Sequence, residues 1–202
     1  MKRILCYGDS NTFGYDPENG AVRFDENTRW TSLLRKELGE GFCVIEEGLN
    51  GRTISTPGYT EYREGNAYLL PCIDSHVPLD LIVVMLGTNE LSFDYNAKEI
   101  AELLEVEIIK RIKKHLFEYG KRPKILVVAP AAVKPADRDF LLGNDIEGKS
   151  KMLDMEYEVV AKRNDCFFLS AVDLGVGSDG VHLNRIAHKE LALRIATFVK
   201  NL

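Results

Sequence analysis

Five short apolar runs punctuate the chain, at Arg3–Tyr7, Phe42–Glu46, Leu81–Leu86, Lys124–Ala129 and Cys166–Leu169. They are mostly continuous rather than alternating, the pattern of strands covered on both faces. Helical spacing fills the intervals. Trp30, Leu33, Leu34 and Leu38 fall at i, i+3, i+4 and i+8, and Ile100, Leu103, Leu104, Ile108, Ile112 and Leu116 form a longer stripe. A third, less amphipathic helix is predicted from about Glu147 to Arg163, and Leu191, Ile195, Phe198 and Val199 mark the last. Alternation of this kind predicts βαβ units with right-handed crossovers. The expected architecture is a single three-layer α/β/α domain over residues 1–202 with a five-stranded parallel sheet in the common order 2-1-3-4-5.

The connections are unequal. Helix-to-strand links are tight, at Gly39–Gly41, Val77–Asp80, Gly120–Pro123 and Asn164–Asp165. Strand-to-helix links are long, at Gly8–Asn27, Gly48–Gly65, Gly87–Asn96, Pro130–Ile146 and Ser170–Asn184. All the long loops therefore leave the carboxyl edge of the sheet, where open α/β sheets build their sites.

That edge collects the polar residues worth testing for chemistry. The first strand stops at Gly8-Asp9-Ser10-Asn11, the second is followed by Gly51 in EEGLNGRT (46–53), and the third by Asn89 in LGTNE (86–90). With these strands adjacent, Ser10, Gly51 and Asn89 converge. SDGVHLN (178–184), after the fifth strand, adds Asp179 and His182. Each piece alone is ordinary: a Gly-Asp-Ser turn, a loop glycine, an asparagine after a strand and a capped helix start are all commonplace. Together, in this order, they suit acyl transfer. Ser10 would be the nucleophile, His182 the base that takes its proton, and Asp179 the group that orients the imidazole. The N–H groups of Ser10 and Gly51 and the side-chain amide of Asn89 would form the oxyanion hole.

Composition adds limits. The chain is 202 residues long, 45% hydrophobic and 28% charged, enough for one well-buried core. A formal net charge of −5 argues against nucleic acid as a partner. The four cysteines, Cys6, Cys43, Cys72 and Cys166, form no C-x-x-C pair and read as reduced thiols. No run approaches the ~18 apolar residues of a membrane span, and the apolar run behind Met1-Lys2-Arg3 is too short for a signal peptide. A cytoplasmic protein that does not engage membranes is expected.

Ser10, Gly51, Asn89 and His182 resemble the four sequence blocks of the SGNH (GDSL-type) hydrolases, with Asp179 three residues before the histidine as in that family. The first block reads GDSN where many members read GDSL. The stretches RW (29–30), VIEEGLNGRT, PLDLIVVMLGTNE and DGVHLN look most like the short-chain arylesterase/acyltransferase and carbohydrate acetyl-esterase branch. The resemblance implies a flavodoxin-like fold and hydrolysis of small esters, acetyl-type above all, through an acyl-enzyme, with acyl transfer as a companion activity. It implies neither metal nor cofactor. A thioesterase or lysophospholipase of the same fold is the alternative. Asn11, Phe13, Phe93 and Phe140 are candidates for contact with substrate. The apolar loop residues Phe13, Tyr15 and Phe24 suggest a homo-oligomer with an interface beside the site, against a monomer whose aromatics pack on its own helices.

Three rivals are weaker. GNDIEGKS (143–150) fits the phosphate-binding G-x-x-x-x-G-K-[ST] pattern, but it lies about a dozen residues beyond the fourth strand, with Pro135 between and acids where phosphates would bind. Asp9, Asp179 and His188 match no standard metal-ligand spacing. A non-catalytic flavodoxin-like domain remains compatible with the fold alone.

Overall fold

The computed structural model describes residues 1–20, 22–56, 61–118, 122–134 and 145–202. Its centre is a five-stranded parallel sheet in the order β2-β1-β3-β4-β5, formed by β1 (Lys2–Gly8), β2 (Phe42–Gly48), β3 (Leu81–Met85), β4 (Lys124–Ala129) and β5 (Phe167–Ser170). The strand order and the three layers are those expected. Register aligns the strand ends: Gly8 of β1 lies opposite Gly48 of β2 and Met85 of β3.

Alternate residues of each strand serve opposite layers. Leu5, Tyr7, Ile82, Val84, Ile125 and Val127 face one core, shared with α3 (Gly65–His76), α4 (Ala97–Leu104), α5 (Lys110–Glu118) and α6 (Ile146–Arg163). Ile4, Cys6, Leu81, Val83, Leu126 and Val128 face the other, closed by α2 (Trp30–Leu38) and α7 (Arg185–Lys200). Two-sided burial is why the strands read as continuous apolar runs.

The differences from expectation are local. A one-turn helix, α1 (Ser10–Phe13), follows β1 directly, inside what reads as loop. The stripe from Ile100 to Leu116 is one continuous rod interrupted by a π-helical stretch at Glu105–Ile109. No stripe marks α3, whose buried positions are Gly65, Leu69, Cys72 and Ile73 and which carries Pro71 in its interior.

The loop after α1 folds back on its own domain. Tyr15 and Arg23 form an antiparallel bridge, and the Phe24 N–H donates to the Gly14 carbonyl at 2.7 Å. Phe24 is 3% exposed and sits edge-on to the ring of His188, with centroids 5.2 Å apart. Phe24 therefore packs on its own domain instead of offering its ring to the expected subunit interface. Burying such a ring is worth about 1.5–3 kcal/mol, which its own domain already supplies. Among the described residues no helix is long and apolar enough to cross a membrane.

Candidate active site

Ser10 is positioned by the abrupt end of β1. Gly8 has no room for a side chain, since a Cβ there would lie 2.1 Å from Thr12 Oγ1 and 2.6 Å from the Met85 carbonyl. That close approach seats α1 on the strand ends. Asp9 caps the helix, its Oδ1 accepting from the Asn11 N–H at 2.9 Å. Burial pushes the Asp9 carboxyl up to about 6, against the Asn11 N–H bond and the nearby His182, Thr88 and Arg52.

The structure brings Ser10, His182 and Asp179 into one line. His182 Nε2 lies 2.8 Å from Ser10 Oγ, and His182 Nδ1 lies 2.6 Å from Asp179 Oδ2. Asp179 Oδ1 accepts from the N–H groups of Val181 and His182, both at 2.9 Å, so the loop holds the carboxylate on both oxygens. Burial alone would raise this carboxyl. Hydrogen bonds from the His182 ring and from the His182 and Val181 backbone outweigh it and hold the group below its ordinary value. It therefore stays ionised beside the imidazole.

The His182 loop is braced from two sides. The ring of Tyr15 stacks on the imidazole, with centroids 4.1 Å apart and planes 28° apart. Ser178 donates from its N–H to Glu18 Oε1 at 3.1 Å and from its hydroxyl to the Pro17 carbonyl at 3.0 Å. The 15–24 loop thus latches onto the segment that carries Asp179 and His182. Asn11 is a strut in the same frame: its Oδ1 accepts from the Leu183 N–H at 2.8 Å, and its carbonyl accepts from Trp30 Nε1 at 3.1 Å.

Gly51 and Asn89 come together through Arg52. The Asn89 side-chain amide donates to the Arg52 carbonyl at 2.9 Å. Gly51 has φ +71, a left-handed turn that favours glycine. Arg52 is buried, and its Nη1 donates to the Gly8 carbonyl at 3.0 Å and to the Glu47 carbonyl, with its guanidinium 4.3 Å from the Tyr7 ring centroid. One cation therefore ties the ends of β1 and β2 to the Gly51 turn. Among the described residues, no hydrogen bond within the protein uses the N–H of Ser10 or of Gly51.

Beneath this turn lies Glu90, fully buried. Its Oε1 accepts from the Ile54 N–H at 2.6 Å and from Thr56 Oγ1 at 3.4 Å. Burial pushes the carboxyl up to about 8; the Ile54 bond opposes the shift and the neighbouring Asp9 adds to it. At neutral pH Glu90 is mostly a neutral acid that pins the segment after Gly51. Arg52 and Glu90 were present in the sequence blocks but carried no signal of these roles, and neither did the stacking of Tyr15.

Other candidates are dispersed. Phe13 is half-buried, with the Arg23 guanidinium 4.7 Å from its ring centroid. Phe93 is half-buried, and its carbonyl accepts from Lys149 Nζ at 3.4 Å. Phe140 lies outside the described residues. His188 is fully buried and accepts from the Trp30 N–H at 3.2 Å; burial drives its ring pKa down to about 3. Asp9, Asp179 and His188 thus serve a cap, a ring partner and a core contact. In GNDIEGKS, α6 already begins at Ile146, and Asp145 Oδ1 accepts from the Gly148 N–H at 3.2 Å. A carboxylate at that N-terminus is the wrong charge for a phosphate cradle.

The fold and the Ser10–His182–Asp179 line define a doubly wound α/β protein equipped for hydrolysis at its carboxyl edge. The GDSL-like lipase/acylhydrolase family model matches residues 6–190. An aryl esterase of M. smegmatis is 34% identical over 100% of both chains, with a TM-score of 0.91. A carbohydrate acetylesterase from Sinorhizobium meliloti is 32% identical over 100% of this chain and 99% of the other, with a TM-score of 0.90. A member of the lipolytic G-D-S-L family from Veillonella parvula, 14% identical over 100% of both chains with a TM-score of 0.69, shares the fold. A search of curated proteins matches none of them to this chain. The chain belongs to the GDSL-like lipase/acylhydrolase (SGNH) family. It is a carboxylic ester hydrolase.

Proposed function

We propose that Ser10 is the nucleophile of a short-chain acyl esterase, acetyl esters favoured, that works through an acyl-enzyme. The observation that carries this reading is the continuous contact from Ser10 Oγ through His182 to Asp179, at 2.8 and 2.6 Å. His182 Nε2 accepts the Ser10 proton as Oγ attacks the ester carbonyl, and Asp179 steadies the resulting imidazolium. The N–H groups of Ser10 and Gly51 and the Asn89 amide receive the oxyanion. His182 then protonates the departing alcohol, and water repeats the sequence in reverse to free the acid. Transfer to another alcohol is the same second step with a different nucleophile. The acetyl group in the name of the similar carbohydrate acetylesterase supports small acyl groups here, and the similar aryl esterase supports a phenolic leaving group.

The decisive assay is hydrolysis of p-nitrophenyl esters of graded chain length by the wild type and by Ser10→Ala. Wild type should favour acetate, and Ser10→Ala should lose about 10⁴-fold or more of turnover with its fold intact. A Ser10→Ala protein as active as wild type would overturn the assignment. Preference for long acyl chains or thioesters would redirect the substrate without removing the nucleophile.

The reading extends to a homo-oligomer of at least two copies. What supports it is an apolar face of α6, where Met152, Met155 and Val159 are about half exposed and fall at i, i+3 and i+7. Sedimentation at micromolar concentration tests it, and a single species near 22.8 kDa would remove it.

A further inference from the structure

A second group of reactive side chains lies on the outer edge of the sheet, on the layer that carries α3. Glu47 stands one residue before the end of β2, while Cys72 and His76 sit at i and i+4 on α3 and so share one helix face. A carboxylate oxygen of Glu47, the Cys72 sulfur and a ring nitrogen of His76 all lie within 4.8 Å of one another. Glu47 Oε1 and His76 Nε2 are already 2.9 Å apart. Cys72 is fully buried, whereas the Glu47 and His76 side chains are 20% and 26% exposed. The cluster is therefore closed on the protein side and open on one other.

We propose that Glu47, Cys72 and His76 form a binding site for a borderline divalent cation of the zinc type, with three protein ligands and a fourth position facing solvent. The site is independent of the esterase assignment. Zinc bonds to sulfur at about 2.3 Å and to nitrogen or oxygen at about 2.0–2.2 Å, tetrahedrally, which sets neighbouring ligand atoms roughly 3–4 Å apart. The three ligand atoms, all within 4.8 Å of one another, lie close to that spacing. The donor set is selective: thiolate with imidazole suits zinc or cobalt(II), while magnesium and calcium require oxygen ligands.

The Cys72 thiol is in hydrogen-bond contact with the Glu47 carboxylate. Tyr68 also contacts the sulfur. On binding, the S–H bond breaks, the sulfur lone pair bonds the metal and the proton leaves to solvent, while a Glu47 carboxylate oxygen and a His76 ring nitrogen complete the set. Two ligand charges then balance the cation. Arg52 remains paired with the Gly8 and Glu47 carbonyls. A cleft of about 520 Å³, lined by Glu47, Arg52, Glu64, Ala67 and Tyr68 among others, offers access beside Glu47.

The test is titration of chelator-treated, reduced full-length protein with cobalt(II), read by its sulfur-to-cobalt charge-transfer absorption, followed by competition with zinc. The site predicts a band that saturates at one equivalent and is removed by zinc. Cys72→Ser should abolish the band, and Cys43→Ser, on the same edge strand, should leave it unchanged. His76→Ala, a half-exposed position that should not disturb the core, should weaken cobalt binding about tenfold or more, since even partners of metal ligands cost 10–100-fold when lost. Absence of a stoichiometric band, survival of the band in Cys72→Ser, or wild-type affinity in His76→Ala would each overturn the site.

Discussion

In the candidate site, Ser10 and Asp179 each touch His182 directly, side chain to side chain. In the loops after β2 and β3, Gly51 and Asn89 meet, among the described residues, through the Arg52 carbonyl, and that turn is held by the buried Arg52 and Glu90. The first half is an assembly of functional groups, and its geometry survives only while each group is present. The second half is a shaped piece of backbone, and its geometry depends on the buried side chains of Arg52 and Glu90. Loss of chemistry and loss of shape should therefore separate experimentally.

The largest effect belongs to the first half. Asp179→Asn should lower kcat about 10⁴-fold with little change in KM, because the imidazole loses its tautomer control and its counter-charge. A large rise in KM at constant kcat would instead place Asp179 in substrate binding. Asn89→Ala follows, with about 10²–10³-fold lost from kcat if its amide meets the oxyanion. Steady-state kinetics on an aryl acetate separates the two readings of Asn89, since a mere strut to the Arg52 carbonyl would shift stability and leave kcat within a few-fold.

Legibility follows the same division. Ser10, Asp179 and His182 stood out because a nucleophile, a base and an acid are recognisable residue types, and the strand pattern placed them on one edge. The sheet order was readable for a similar reason: two-sided burial leaves unbroken apolar runs such as Leu81–Met85. Glu90 was not readable, because an acid after a strand looks like any solvated loop residue until the fold buries it completely. Phe24 misled in the opposite direction. An aromatic in a long loop suggests exposure, and only the bridge between Tyr15 and Arg23 reveals that the loop turns it inward. Helix α3 carries too few apolar positions in phase, and a proline besides, to announce itself.

Two smaller predictions refine the boundary between the halves. Tyr15→Leu removes the ring stacked on His182 and should reduce kcat by about two- to tenfold, the worth of one aromatic contact. No change in kcat would make the stack incidental. Glu90→Gln keeps an acceptor for the Ile54 N–H and discards the titrating proton. In the folded protein Glu90 holds its proton up to about 8, above the ordinary 4.5, so its contribution to stability is complete at low pH and is lost as pH rises through that window. The Asp9 carboxyl, raised from 3.8 to about 6, acts in the same direction. His188 acts oppositely: its ring is depressed from 6.5 to about 3, so its stabilising contribution is lost as pH falls below about 6.5. Thermal melts should therefore show Glu90→Gln gaining on wild type between pH 5 and pH 8. A constant difference across that range would show that Glu90 does not titrate there.

The central claim, that Ser10 carries the acyl group, is tested most directly by intact-protein mass spectrometry during turnover of an aryl acetate quenched in acid, with peptide mapping of any adduct. The account predicts one added acetyl group per chain, located on Ser10 and missing from Ser10→Ala. An adduct on another residue that persists in Ser10→Ala with turnover undiminished would contradict it.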